Sequence, residues 1–76
     1  MPKLPMFKVR ELIRVLNKLG FFEYHRVGSH AQFKHMDGRR VTIPIHYGKD
    51  VKRGMVRGIL HDIDVSIEEF ISVKKS

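Results

Sequence analysis

The stretch "HAQFKHMDGRRVTIPI", residues 30–45, decides the fold. Two β-prone runs, 30–35 and 40–45, flank Met36-Asp37-Gly38, and the length of the loop between them sets which residues face each other. A two-residue Asp-Gly loop would put Phe33 against Thr42, apolar beside polar. A three-residue loop with Gly38 in the left-handed conformation puts Phe33 against Val41 and Ala31 against Ile43. The second register gathers the apolar residues, and we take it as the predicted one. Strand alternation then sends Ala31, Phe33, Val41 and Ile43 to one face, and His30, Gln32, Lys34, Arg40 and Thr42 to the other.

Upstream, Gly28-Ser29 joins residues 30–35 to a third β-prone run at 22–27. Before it, "FKVRELIRVLNKL" (7–19) repeats Val9, Leu12, Ile13, Leu16 and Leu19 at helical spacing, with Lys8, Arg10, Glu11, Arg14, Asn17 and Lys18 mostly on the other side. The prolines at 2 and 5 set the expected start near residue 6, and Gly20 follows where a left-handed helix end needs it. Downstream, a second helix is expected from about Arg53, with Met55, Val56, Ile59, Leu60 and Ile63 as its apolar face. Ser66-x-x-Glu69 has the form of a capping box, so a short last helix is expected, docked through Ile67, Phe70 and Ile71. Lys74, Lys75 and Ser76 are expected to fray. The order α-β-β-β-α predicts an α+β fold. It has a three-stranded antiparallel sheet, both long helices on one face and a short C-terminal helix.

Seventy-six residues suit one domain, 1–76, with no room for a second core. There is no cysteine, so neither disulfides nor thiolate-bound zinc can supplement that core. No apolar run reaches the roughly 18 residues that a membrane span needs, and the first residues lack a signal-peptide core, so a cytoplasmic location is expected. Charge is the informative total. Residues 1–61 carry thirteen basic and four acidic side chains, a balance of +9, whereas residues 62–76 carry two and four, a balance of −2. A body of one sign favours a polyanion, for which nucleic acid is the first candidate. Solubility alone is the plainer reading of the same excess.

The predicted register bears on chemistry. His30 faces Pro44, which makes His46 its diagonal neighbour, and such neighbours lie about 7–8 Å apart. Two imidazoles at that separation could reach opposite sides of a phosphodiester, where one could take a proton from a 2′-hydroxyl while another donor protonates the leaving oxygen, with no metal required. Histidine suits the task because its ordinary pKa lies near cellular pH. Arg26, Lys34, Arg39 and Arg40 are expected nearby, to hold phosphate and offset transition-state charge. Judged by spacing alone, a surface histidine without a task is the commoner outcome. A metal site on His25, His30 and His35 fails, because steps of five along strands alternate faces and no cysteine or carboxylate cluster completes a shell. No cofactor is implied. Lys49, Lys52 and Arg53 crowd the start of the second helix, where the helix dipole disfavours cations by about 0.3–1 kcal/mol each. A bound phosphate would reverse that penalty, and a solvated basic loop is the alternative.

Four fragments, "LNKLGF" (16–21), "GSHAQF" (28–33), "IPIH" (43–46) and "GMVRGIL" (54–60), in this order and spacing resemble the HicA toxins. The likeness runs from about Lys8 to Phe70. It implies a double-stranded-RNA-binding-like fold and an mRNA interferase, the ribonuclease toxin of a type II toxin–antitoxin pair. It also implies His30 as the catalytic histidine, Gly28 and Ser29 as the residues shaping its approach, and Pro44 and His46 as lining the site. The implied partners are mRNA and a HicB-type antitoxin. The chain departs from the family's usual pattern at Gly54-Met55-Val56, where Gly-Thr-Leu is common, and at Gly58 and "HDIDV" (61–65). Two other functions fit the composition: a non-catalytic RNA-binding module, and a protein-interaction domain whose basic face meets an acidic partner.

Overall fold

A computed structural model describes residues 4–76; Pro2, invoked above for the first helix, lies outside them. Eight elements follow in order: β1 (Phe7–Lys8), α1 (Val9–Lys18), β2 (Phe21–Val27), β3 (His30–His35), β4 (Arg40–Pro44), β5 (Asp50–Val51), α2 (Arg53–Ile63) and α3 (Ile67–Lys75). The fold is α+β, with an antiparallel sheet in the order β2-β3-β4 and the helices packed on one face, an arrangement like that of double-stranded-RNA-binding domains. Among the described residues no helix is long and apolar enough to cross a membrane.

The hairpin adopts the register that gathers apolar side chains: Phe33 pairs with Val41 and Ala31 with Ile43. Gly38 takes φ +98°, and its N–H donates to the His35 carbonyl at 2.9 Å, closing the three-residue loop. Ala31, Phe33, Val41 and Ile43 are all buried, while His30, Lys34, Arg40 and Thr42 are exposed. The core these strands present is covered by Leu12, Val15 and Leu16 from α1, by Val56, Ile59, Leu60 and Ile63 from α2, and by Phe70 from α3.

The structure corrects several sequence expectations. The first helix starts at Val9 rather than near residue 6, because Phe7 and Lys8 pair with Val51 and Asp50 in a second, two-stranded sheet. A 2.8 Å ion pair from Lys8 Nζ to Asp50 reinforces that pairing, and the Lys8 N–H donates to the Glu11 carboxylate at 3.2 Å as the helix opens. On α1, Val15 is fully buried, whereas Ile13 and Leu19 only flank the core. On α2, Met55 faces outward and is 43% exposed.

The C-terminal tail does not fray. Ser66 Oγ accepts from the Glu69 N–H at 3.1 Å, as its spacing predicts, but the helix then runs to Lys75. The last carbonyls of a helix lack intrahelical partners, and cations near them are favourable. Here α1 supplies both remedies: Arg14 donates to the Lys74 carbonyl at 2.9 Å and Lys18 to the Ser76 carbonyl at 2.6 Å. Phe70 meets Phe7 with ring centroids 5.0 Å apart, so α3 also secures the two-stranded sheet.

Gly20 ends α1 at φ +96° and lies under the His35 ring. A Cβ there would sit 2.8 Å from His35 Nε2. That ring cannot swing away freely: it packs on Phe21, with centroids 5.0 Å apart, and its Nδ1 accepts the Asp37 N–H at 3.0 Å. Gly20→Ala therefore meets both backbone strain and a clash, and should lower unfolding free energy by about 1–3 kcal/mol. Adding His35→Ala should recover the steric share, and denaturant unfolding of the two single variants and the double variant measures that coupling.

Candidate active site

Gly28, with φ +58°, and Ser29 form the two-residue turn that closes β2 against β3, with Val27 and His30 as the flanking pair. The turn is tied to the next strand as well. The Ile45 N–H donates to the Ser29 carbonyl at 2.6 Å, one step beyond the pairing of His30 with Pro44. Hydrogen-bonded and non-hydrogen-bonded pairs alternate in antiparallel sheet, so His30 and Pro44 form a non-hydrogen-bonded pair, the kind whose side chains approach most closely. Proline is tolerated there because its missing N–H points to the open edge of β4. His30 thus stands exposed at the end of the sheet, beside the Pro44 ring, on the face that no helix covers.

Pro44 also borders a depression of about 230 Å³ between the strand end and the start of α2, where His46, Lys49, Lys52 and Met55 complete most of the wall. His30 lies on the other side of Pro44 and does not line it. His46 lies two residues past Pro44, beyond the end of β4 where the paired register stops, and it lines the depression that His30 does not. Asp50 also borders the depression, but its carboxylate is taken by Lys8. Lys49 and Lys52 have no carboxylate partner among the described residues. Arg53 turns back to donate from Nε to the Leu4 carbonyl at 2.8 Å, which fastens the N-terminal segment to α2.

Of the four arginines and lysines expected around His30, only two share its face. Lys34 and Arg40 are exposed and directly opposite each other. Arg26 is displaced by a β-bulge at Tyr24: Glu23 pairs with Phe33, but His25 pairs with Gln32, so one residue is inserted and strand parity reverses. Arg26 therefore pairs with buried Ala31 on the helix side, and forms two 2.8 Å hydrogen bonds to the Glu23 carboxylate. Arg39 also lies on the helix side. Its guanidinium packs 5.0 Å from the Phe21 ring centroid, bonds Asp37 at 2.7 Å and donates to the Ile63 carbonyl at the end of α2. Arg39 ties the β3–β4 loop to the end of α2 and Arg26 is held by Glu23 within β2, so neither surrounds His30.

The outward surface of β2 also carries apolar residues that the charge pattern did not single out. Phe22 and Val27 are each 60% exposed and Tyr24 is 49% exposed. The available signal was the Phe21-Phe22 pair itself, since adjacent residues of a strand point to opposite faces and only one face is covered. Tyr47, also exposed, stacks under Arg10 at 5.4 Å.

Residues 9–65 match the family model described as HicA toxin of bacterial toxin-antitoxin. No curated protein matches the chain.

The electrostatics of the Glu23–Arg26 pair can be checked directly. Hydrogen bonding from Arg26 holds the Glu23 carboxyl below its ordinary value of 4.5, against a smaller opposing effect of desolvation. A depressed carboxyl pKa stabilises the fold fully above its unfolded value, and loses that effect as pH falls through the lower folded value. The pair should therefore stay closed from neutral pH to below 4.5. Carboxyl-carbon NMR titration should give a Glu23 midpoint under 4.5 that moves back toward it in Arg26→Ala.

Proposed function

The chain belongs to the HicA toxin family, the toxin half of bacterial toxin–antitoxin systems, and from that premise we propose that it is a metal-independent endoribonuclease with His30 as its general acid/base. The observation that carries the reading is the exposed His30 imidazole, set beside Pro44 at the end of the uncovered sheet face that also bears the unpaired cations Lys34 and Arg40. In the reaction a 2′-hydroxyl attacks the adjacent phosphorus. An imidazole takes the hydroxyl proton, the bond to the 5′-oxygen breaks, and that oxygen leaves with a proton from a second group. The products are a 2′,3′-cyclic phosphate and a 5′-hydroxyl. His46 is the proposed second group, being the histidine two residues past Pro44, the residue that His30 pairs with.

The remaining roles follow from position. Gly28 and Ser29 hold the turn that aims His30, and Pro44 packs beside it. Lys34 and Arg40 on one side, and Lys49 and Lys52 on the other, would bind the RNA backbone. Each phosphate contact adds to affinity and to its salt dependence. As a single-domain cytoplasmic toxin acting on mRNA, the protein would be held inactive by an antitoxin of the HicB type, for which an acidic or apolar surface facing His30 suffices.

The test is cleavage of a labelled RNA by the purified protein in the presence of a chelator. Cleavage should persist, and a substrate with a single 2′-deoxy sugar at the cut position should resist it. His30→Ala should lower the rate by about 10²–10⁴ while RNA binding is retained. Undiminished cleavage by that variant, or loss of wild-type cleavage on adding chelator, would falsify the assignment. Binding by the wild-type protein with no cleavage under any condition would instead identify a non-catalytic RNA-binding module.

A further inference from the structure

The face that carries His30 has a second end, built differently. Four residues along β3 from His30, about 13 Å away, Phe22, Lys34 and Arg40 form one cross-strand row. Three features of this row call for a ligand. Phe22, the second residue of β2, is 60% exposed although it is paired in the sheet, and Tyr24, 49% exposed, follows at the bulge. Lys34 and Arg40 are like charges directly opposite one another, a pairing that costs stability and has no carboxylate to relieve it among the described residues. The paired positions of this outward face, Phe22, His25, Val27, His30, Gln32, Lys34, Arg40, Thr42 and Pro44, include no acid at all.

An aromatic ring beside two unpaired cations matches one chemistry closely. A nucleobase stacks on the ring while its phosphate lies between the cations, which removes the repulsion and covers the apolar surface together. Such stacking needs a free base face, and duplex RNA keeps its base faces covered. We propose that the Phe22–Lys34–Arg40 row, with Tyr24, is a stacking platform for unpaired RNA. It binds the substrate strand a few nucleotides from the bond presented to His30. The proposal deepens the ribonuclease reading and rests on RNA being the substrate, but it concerns substrate binding rather than the chemical step. It also restricts that substrate to single-stranded segments, although the fold resembles that of double-strand-binding domains.

The chain contains no tryptophan, so Phe22→Trp places a single indole reporter on the platform. Because the side chain is largely exposed, the substitution should leave the far-ultraviolet circular dichroism unchanged. With His30→Ala in the same protein to prevent cleavage, a single-stranded RNA oligonucleotide should quench the indole and a duplex of the same sequence should not. Phe22→Ala, in the His30→Ala background, should weaken single-strand binding by about 5- to 150-fold with the salt dependence unchanged. Lys34→Gln should instead reduce the slope of log affinity against log salt by about 0.7. Absence of quenching by single-stranded RNA, or equal quenching by the duplex, overturns the platform. So does quenching by the purified antitoxin with none by RNA, which would make the patch a protein-docking surface. The two readings fail separately. A silent indole together with cleavage that depends on His30 removes only the platform; quenching together with full cleavage by His30→Ala removes only the catalytic assignment.

Discussion

The pairing of β3 with β4 in one register is the constraint on which the rest of the molecule depends. In a sheet covered on one side, a slip of one residue exchanges the two faces. A slip of β3 against β4 would turn Ala31 and Phe33 to solvent and bring His30 and Lys34 toward the core, leaving apolar residues opposite polar ones. Burial and the make-up of the uncovered face are therefore specified by the same event. Closing the three-residue loop through Gly38 aligns the apolar side chains, and that alignment leaves the basic and imidazole side chains together on the uncovered face. The Ser29–Ile45 hydrogen bond then carries the register past Pro44, so the turn before His30 and the segment leading to His46 are held to each other.

The positive charge of the chain serves two distinct purposes. Part of it acts inside the fold: Arg14 and Lys18 complete the end of α3, Arg39 completes the end of α2, Arg53 holds the N-terminal segment and Arg26 is matched by Glu23. Each of these cations answers a carbonyl or carboxylate of the protein itself. Lys34, Arg40, Lys49 and Lys52 do not. The net charge alone overstates the positive surface left for an outside anion, and the hydrogen-bond partners separate the two groups.

How much was legible in the sequence varies with the range of the interaction. The hairpin register could be read because it matches neighbours within sixteen residues, and apolar pairing discriminates sharply between two loop lengths. The Ser66 cap was legible for the same reason. The β1–β5 pairing was not: two-residue strands have no periodicity, and their partners lie more than forty residues apart. The ordered tail escaped notice because its carbonyls are met by side chains about sixty residues earlier. Arg26 illustrates a subtler limit. Simple alternation from Phe22 would place it outward beside His30, but the bulge at Tyr24 reverses the parity of the three residues that follow. No local pattern marks that insertion. The family fragments, by contrast, located His30 independently of parity, since the histidine lies after the turn and its face is set by β4.

The uncovered face also shows what the fold forgoes. A domain this small has a narrow stability margin, about 4–11 kcal/mol at ordinary values per residue. Opposed like charges draw on it, by a few tenths to about 1 kcal/mol for a cross-strand pair. Substituting acids at Lys34 or Arg40 would relieve the repulsion at no cost in packing, because neither side chain contributes to the core. The structural requirement of the sheet therefore does not account for these residues. It accounts fully for the other face, where every position opposite a helix is apolar or is matched by a partner of the protein's own. A surface that is locally unfavourable while its reverse is fully satisfied is understandable if its partner is a separate molecule, and the chemistry of this surface calls for an anionic one.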